Sequence, residues 1–234
     1  MSYVERVERA RRFLASIEKN HSPTALASSF GAEDMVLLDL IARDGLAISV
    51  FTLDTGRLPL ETHDLIAKVR DHYGLEIGVF APWPDSVQAY VEEHGIDGFY
   101  DGVEQRTSCC NVRKVEPLRR ALAGKRGWIT GLRREQAVSR STVTEAEHDP
   151  VHSKWKFSPL AEWTHEDVWT YIHENRVPYN ALHDRGYPSV GCEPCTRAVK
   201  RGEHPRAGRW WWEQEDARKE CGIHTIPVRF VETA

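Results

Sequence analysis

No stretch of the 234 residues approaches the roughly 20 consecutive apolar positions that a membrane-spanning helix needs, which excludes an integral helical membrane protein. An excess of one charge is also missing. The net charge is −4, so no global basic field argues for a nucleic-acid partner. The opening Met1-Ser2-Tyr3-Val4-Glu5-Arg6 has an early acid and no apolar core of a signal peptide, so the cytoplasm is the expected compartment. Structural disulfides are not expected there, and close pairs of cysteines lean toward metal or redox chemistry. No repeat or low-complexity run divides the chain. The Gly-Lys-Ser/Thr of a nucleotide-binding P-loop is absent.

What is present is an unusual set of five cysteines. Cys109-Cys110 and Cys192-Glu193-Pro194-Cys195 form two close pairs about eighty residues apart, and Cys221 stands alone near a lysine and a histidine. Four thiolates suit a zinc site or an iron–sulfur cluster. Zinc knuckles usually separate their cysteines by two to four residues, so the strict adjacency of Cys109 and Cys110 counts against zinc without removing it. The fifth cysteine is a candidate nucleophile, because nearby cations raise the thiolate fraction. An inert surface thiol is the plain alternative.

Apolar spacing predicts a helix from Val4 to about Lys19 and others over 35–41 and 60–73. Thr24–Ser29, Ala47–Leu53, Glu76–Phe80 and Gly127–Gly131 read as short strands, and Thr164 as the start of a late helix. Strands alternating with helices predict an α/β fold with a single doubly wound, mostly parallel sheet flanked by helices. From about Gly186 the pattern turns irregular and reads as poor core material. Residues 1–205 are expected to form the α/β domain, and 206–234 a mobile C-terminal segment that carries Cys221.

In an open parallel sheet, ligands bind at the carboxyl ends of the strands. Two such ends are rich in small and polar residues: Ser28-Ser29-Phe30-Gly31-Ala32-Glu33-Asp34 and Leu53-Asp54-Thr55-Gly56-Arg57. Either could be an ordinary turn. Together they resemble the adenine-nucleotide α-hydrolase fold, and more narrowly the sulfonucleotide (phosphoadenylylsulfate) reductases of sulfate assimilation. The resemblance runs from about Ser28 to His224. The Cys-Cys…Cys-x-x-Cys pattern is similar to the adenylylsulfate reductase branch, and Glu220-Cys221-Gly222-Ile223-His224 resembles its catalytic motif.

The resemblance implies a [4Fe–4S] cluster on Cys109, Cys110, Cys192 and Cys195. It casts Cys221 as the nucleophile that reduces adenylyl sulfate to sulfite and AMP through an enzyme S-sulfocysteine, with thioredoxin or a similar dithiol as reductant. It makes Ser28, Ser29, Gly31, Leu53, Thr55, Lys114, Arg133, Arg206, Arg209 and His224 contacts to the sulfonucleotide, and it leaves room for a homo-oligomer. Ser139 and Arg140 are expected in a mobile loop. A phosphoadenylylsulfate reductase is the nearest alternative. An ATP-dependent sulfur-insertion enzyme acting on nucleic acid would favour a Ser-Gly-Gly-x-Asp-Ser loop, and a four-cysteine zinc module would bind nucleic acid through Arg206, Arg209 and Trp210-Trp211-Trp212.

Overall fold

The computed structural model describes residues 1–213, 220, 222 and 223. Chain order is α1 (Tyr3–His21), β1 (Thr24–Ala27), α2 (Ala32–Arg43), β2 (Ser49–Leu53), α3 (Leu60–Tyr73), β3 (Ile77–Phe80), α4 (Pro84–His94), α5 (Val103–Cys110), α6 (Glu116–Ala121), β4 (Gly127–Ile129), β5 (Ala146–Asp149), β6 (Lys154–Phe157) and α7 (His165–Asn175). The six strands form one sheet in the order β3-β2-β1-β4-β6-β5. Every neighbouring pair is parallel except β5–β6.

Alternation along the strands sorts side chains to two faces. Leu26, Val50 and Ile129 enter one apolar cluster with residues of α1, α2, α3 and α7. Their neighbours Ala25, Phe51 and Trp128 enter a second cluster with Leu118, Ala121 and Leu122. Both faces are therefore covered, which makes the sheet doubly wound.

Local chemistry sets several boundaries. Ser2 caps α1, and its hydroxyl and Glu5 form a reciprocal capping box; Thr164 and Asp167 do the same for α7. Gly74 closes α3 in the left-handed conformation. One buried carboxylate ties three helices together. Asp39 of α2 accepts hydrogen bonds from Tyr73 Oη of α3 at 2.7 Å and Tyr171 Oη of α7 at 2.8 Å, and pairs with Arg43 at 2.7 Å.

Two features depart from the sequence reading. The strands β5 and β6 escape an apolar-run criterion, since Ala146-Glu147-His148-Asp149 and Lys154-Trp155-Lys156-Phe157 are largely polar. Lys156 is nonetheless buried, paired with Glu147 at 2.9 Å and over the Trp128 ring at 5.5 Å. The stretch after Gly186 does not behave as poor core material throughout: Arg209 and Trp210 are both buried.

Candidate active site

The strand order reverses at β1, since β2 and β3 extend on one side and β4 on the other. Ligands of open α/β sheets sit in the crevice outside such a switch point. A cavity of about 530 Å³ opens there. Ser28, Ser29, Gly31, Leu53, Thr55, Lys114, Arg133, Arg206 and Arg209 all line it. The remaining sequence candidates, Cys221 and His224, lie outside the described residues. Glu220 and Ile223, on either side of Cys221, line the same cavity.

The loop after β1 owes its shape to a residue that the sequence does not mark. Gly31 has φ −70° and is the N-cap of α2. The left-handed residue is Phe30, at φ +59°. A bulky residue rarely adopts that conformation, and its burial as a core plug holds it there. Asp34 fixes the loop from within α2. Its carboxylate accepts from Ser29 N at 2.6 Å, Ser29 Oγ at 2.7 Å and, across the switch point, Gly131 N at 3.1 Å. A Cβ on Gly131 would stand 2.5 Å from that carboxylate, so only glycine fits there.

Burial pushes the Asp34 carboxyl up to about 6 against the pull of these donors. A folded-state pKa above the unfolded 3.8 means that the native state binds the extra proton between the two values. Stability contributed by this group is therefore present below about pH 4 and is lost as pH rises to about 6. Asp34→Asn is expected to flatten unfolding free energy across that window, as read by urea titrations at stepped pH. An unchanged slope would show that Asp34 is not the titrating group.

Several lysine and arginine side chains line the cavity. Among them Arg133 is already engaged: it pairs with Glu33 at 2.8 Å and Glu135 at 3.0 Å, and it donates to Trp163 O at 3.2 Å. Burial would raise the Glu33 carboxyl, but the Arg133 charge and the Gln136 hydrogen bond hold it below the usual range. Arg133 thus braces the α2 terminus. Lys114, Arg140, Arg206 and Arg209 line the same cavity. Arg209 donates to Val190 O at 3.2 Å, and its guanidinium lies 4.7 Å from the Trp210 ring. Arg140, at the end of a short 3₁₀ turn over 138–140, pairs with Glu220 at 2.8 Å. Spacing along the chain does not reveal that partnership, and Arg140 stands outside the sequence-derived contacts for this reason.

Next to this cavity, and sharing Lys114 and Arg209 with it, is one small second cavity that Cys109, Cys110, Cys192 and Cys195 line together with Arg113 and Trp210. Cys109 and Cys110 close α5, and the chain continues through a π-helical turn at Asn111–Val115. Such wide turns recur at functional sites. This one carries Lys114, which lines both cavities. Cys192 Sγ lies 3.3 Å from Thr55 Oγ1, so the Thr55 hydroxyl faces the cysteines. Burial raises the Cys109 thiol and pushes Cys195 up to about 12. Burial acts on Cys192 too, but Lys114, Thr55 and two arginines outweigh it and draw this thiol below its ordinary value.

Among the described residues no three His, Cys, Asp or Glu side chains are arranged to hold a single metal ion. A cubane differs in kind, because each thiolate holds a different iron and the sulfurs need not meet at one point. Four thiols around one cavity fit such an anionic group. The buried Arg209 Nε and Trp210 Nε1 also fit: they are N–H donors without hydrogen-bond partners, and a cluster with acceptor sulfides would suit them.

Residues 23–198 match the family described as the phosphoadenosine phosphosulfate reductase domain. A curated adenosine 5'-phosphosulfate reductase of Allochromatium vinosum is 52% identical over 92% of this chain and 84% of its own length. One of Burkholderia cepacia is 53% identical over 95% and 89%. Among solved structures, a phosphoadenylyl-sulfate reductase of Candida auris in complex with phosphate aligns with a TM-score of 0.69 at 27% identity, over 81% of this chain and 90% of that one. A Candida glabrata FMN adenylyltransferase, at TM-score 0.55 and 15% identity over 86% of this chain and 69% of its own, shares the fold.

Proposed function

The chain belongs to the phosphoadenosine phosphosulfate reductase family, and we propose that it is the member that reduces adenylyl sulfate to sulfite and AMP in sulfate assimilation. The observation that carries this reading is the shared cavity. Lys114 and Arg209 line both it and the cavity of the four cysteines, and Glu220 and Ile223 line it as well.

The loop after β1, with Ser28, Ser29 and Gly31, faces the phosphosulfate end of the nucleotide, and Leu53 and Thr55 after β2 lie near the adenosine. Lys114, Arg206 and Arg209 meet the phosphosulfate, since guanidinium groups match the planar arrays of its oxygens. The Cys221 thiolate attacks the sulfur, the bond from sulfur to the bridging oxygen breaks, and AMP leaves with the electron pair. Positive groups lining the cavity stabilise the negative charge that develops on the departing phosphate. The sulfonate now sits on Cys221 Sγ. A thiolate of a reduced dithiol protein, by family likeness thioredoxin, attacks that sulfur and expels sulfite. Its second thiol then resolves the mixed disulfide and returns Cys221 as a thiolate.

Cys109, Cys110, Cys192 and Cys195 are the residues that would hold a [4Fe–4S] cluster, which when bound supplies a fixed local charge beside the phosphosulfate end. His224, outside the described residues, is kept as a substrate contact by likeness to the family motif.

The discriminating experiment compares adenylyl sulfate with its 3′-phosphorylated form, using reduced thioredoxin as donor. The expected result is equal yields of sulfite and AMP from adenylyl sulfate, with kcat/KM at least about tenfold above that for the phosphorylated nucleotide, a margin of about 1.4 kcal/mol in transition-state binding. Preference for the 3′-phosphorylated substrate would reverse the assignment within the family.

A further inference from the structure

We propose that Glu220 is a positioning residue, a latch that ties the backbone just before the nucleophile to the wall of the substrate cavity by both its carboxylate and its carbonyl oxygen. The proposal rests on Cys221 being the nucleophile.

The side chain of Glu220 is gripped on one side. Its carboxylate receives Arg140 through two bonds, Nε to Oε1 at 3.0 Å and Nη2 to Oε2 at 2.8 Å, with Ser139 Oγ at 3.3 Å and Arg206 Nη2 at 3.5 Å. Burial would raise this carboxyl, yet the arginines hold it below its usual range, so it stays charged. The main chain is gripped on the other side. Arg106 Nη1 donates to the Glu220 carbonyl at 2.8 Å.

Arg106 is itself fixed. It is buried in α5 one turn before Cys109, ion-paired with Glu213 and stacked 4.7 Å from the Trp210 ring. One guanidinium therefore joins the helix of the cysteine pair to the residue before the nucleophile. On the far side Gly222 takes φ +81°, and Ile223 packs into the apolar cluster with Phe51, Leu118 and Trp128. Residues on both sides of position 221 are thus tied to the cavity wall.

A purely structural ion pair would not involve the substrate's own cations. Arg206 is one of the arginines that face the phosphosulfate, and the Glu220 carboxylate draws on it. Latch and substrate share that charge, so removing the carboxylate acts in opposite directions on binding and on chemistry. Without that carboxylate's pull Arg206 holds the anion at least as well, while the residue before the nucleophile loses its anchor.

The test uses the full chain without reductant and reads three quantities for wild type and Glu220→Gln: nucleotide Kd, the single-turnover rate of AMP release, and the alkylation rate of Cys221 by iodoacetamide in the nucleotide-free enzyme. The expected Glu220→Gln result is AMP release slower by about 10²-fold, the effect of a misplaced reacting group. Nucleotide Kd should be unchanged or tighter, by up to about tenfold, because charge-assisted contacts to the anion are among the strong ones. Cys221 alkylation should be faster. Arg106→Lys keeps the charge beside Glu213 and is expected to show the same split more weakly; its thermal melt checks that it folds.

Wild-type AMP release in Glu220→Gln would overturn the latch. So would loss of affinity in step with rate, or unchanged alkylation. If the wild type releases AMP but carries no sulfonate on Cys221, the nucleophile assignment itself is what fails, before any variant is considered.

Discussion

Cys221→Ser is expected to stop sulfite production, with the residual rate below about 10⁻⁴ of wild type, because the step needs a thiolate and a serine hydroxyl stays protonated at neutral pH. The variant keeps every residue seen to line the cavity, so nucleotide affinity should persist, as calorimetry with AMP would record. It also keeps all four cysteines of the second cavity, so its metal content should match wild type. The combination is the informative part. A dead enzyme that binds nucleotide and retains its cofactor has lost chemistry alone, whereas sulfite release at the normal rate would remove Cys221 from the mechanism.

The second large effect belongs to the quartet. Cys192 is the cysteine whose thiol the surroundings draw downward, through Lys114, the Thr55 hydroxyl and two arginines. A site built this way favours a ligating thiolate. If the four cysteines hold the proposed [4Fe–4S] cluster, Cys192→Ser is expected to lack the brown colour and most of the iron and acid-labile sulfide of wild type, with activity down by about 10²-fold or more and a lower melting temperature, since ligand binding and folding are coupled. Wild-type protein purified anaerobically should contain iron and sulfide in equal amounts. A colourless protein with one zinc per chain would mean that the four thiols serve a different centre.

Much of this was legible before any coordinates. The helix over 60–73 and the strands near residues 24, 47, 76 and 127 follow from apolar runs bounded by Pro and Gly, which are local signals. The cysteine pairs declare themselves by spacing, another local property. What escaped depends on contacts across the chain. The buried Lys156 makes β6 look like a surface strand until Glu147 and Trp128 are placed around it. Phe30 takes the left-handed turn that Gly31 would be expected to supply, because the core holds its ring. Arg133 reads as a substrate contact and lines the cavity, while its ion pairs with Glu33 and Glu135 are not visible in the sequence. Arg106 holds the Glu220 carbonyl from 114 positions away, a contact that no local pattern displays.

The most direct test is a single turnover without reductant. Wild-type protein mixed with adenylyl sulfate should release one AMP per chain and no sulfite. Intact-mass and peptide analysis should then find one added sulfonate on Cys221, which leaves as sulfite when reduced thioredoxin is supplied. AMP release that waits for the reductant, or a sulfonate on Cys109, Cys110, Cys192 or Cys195, would contradict the account.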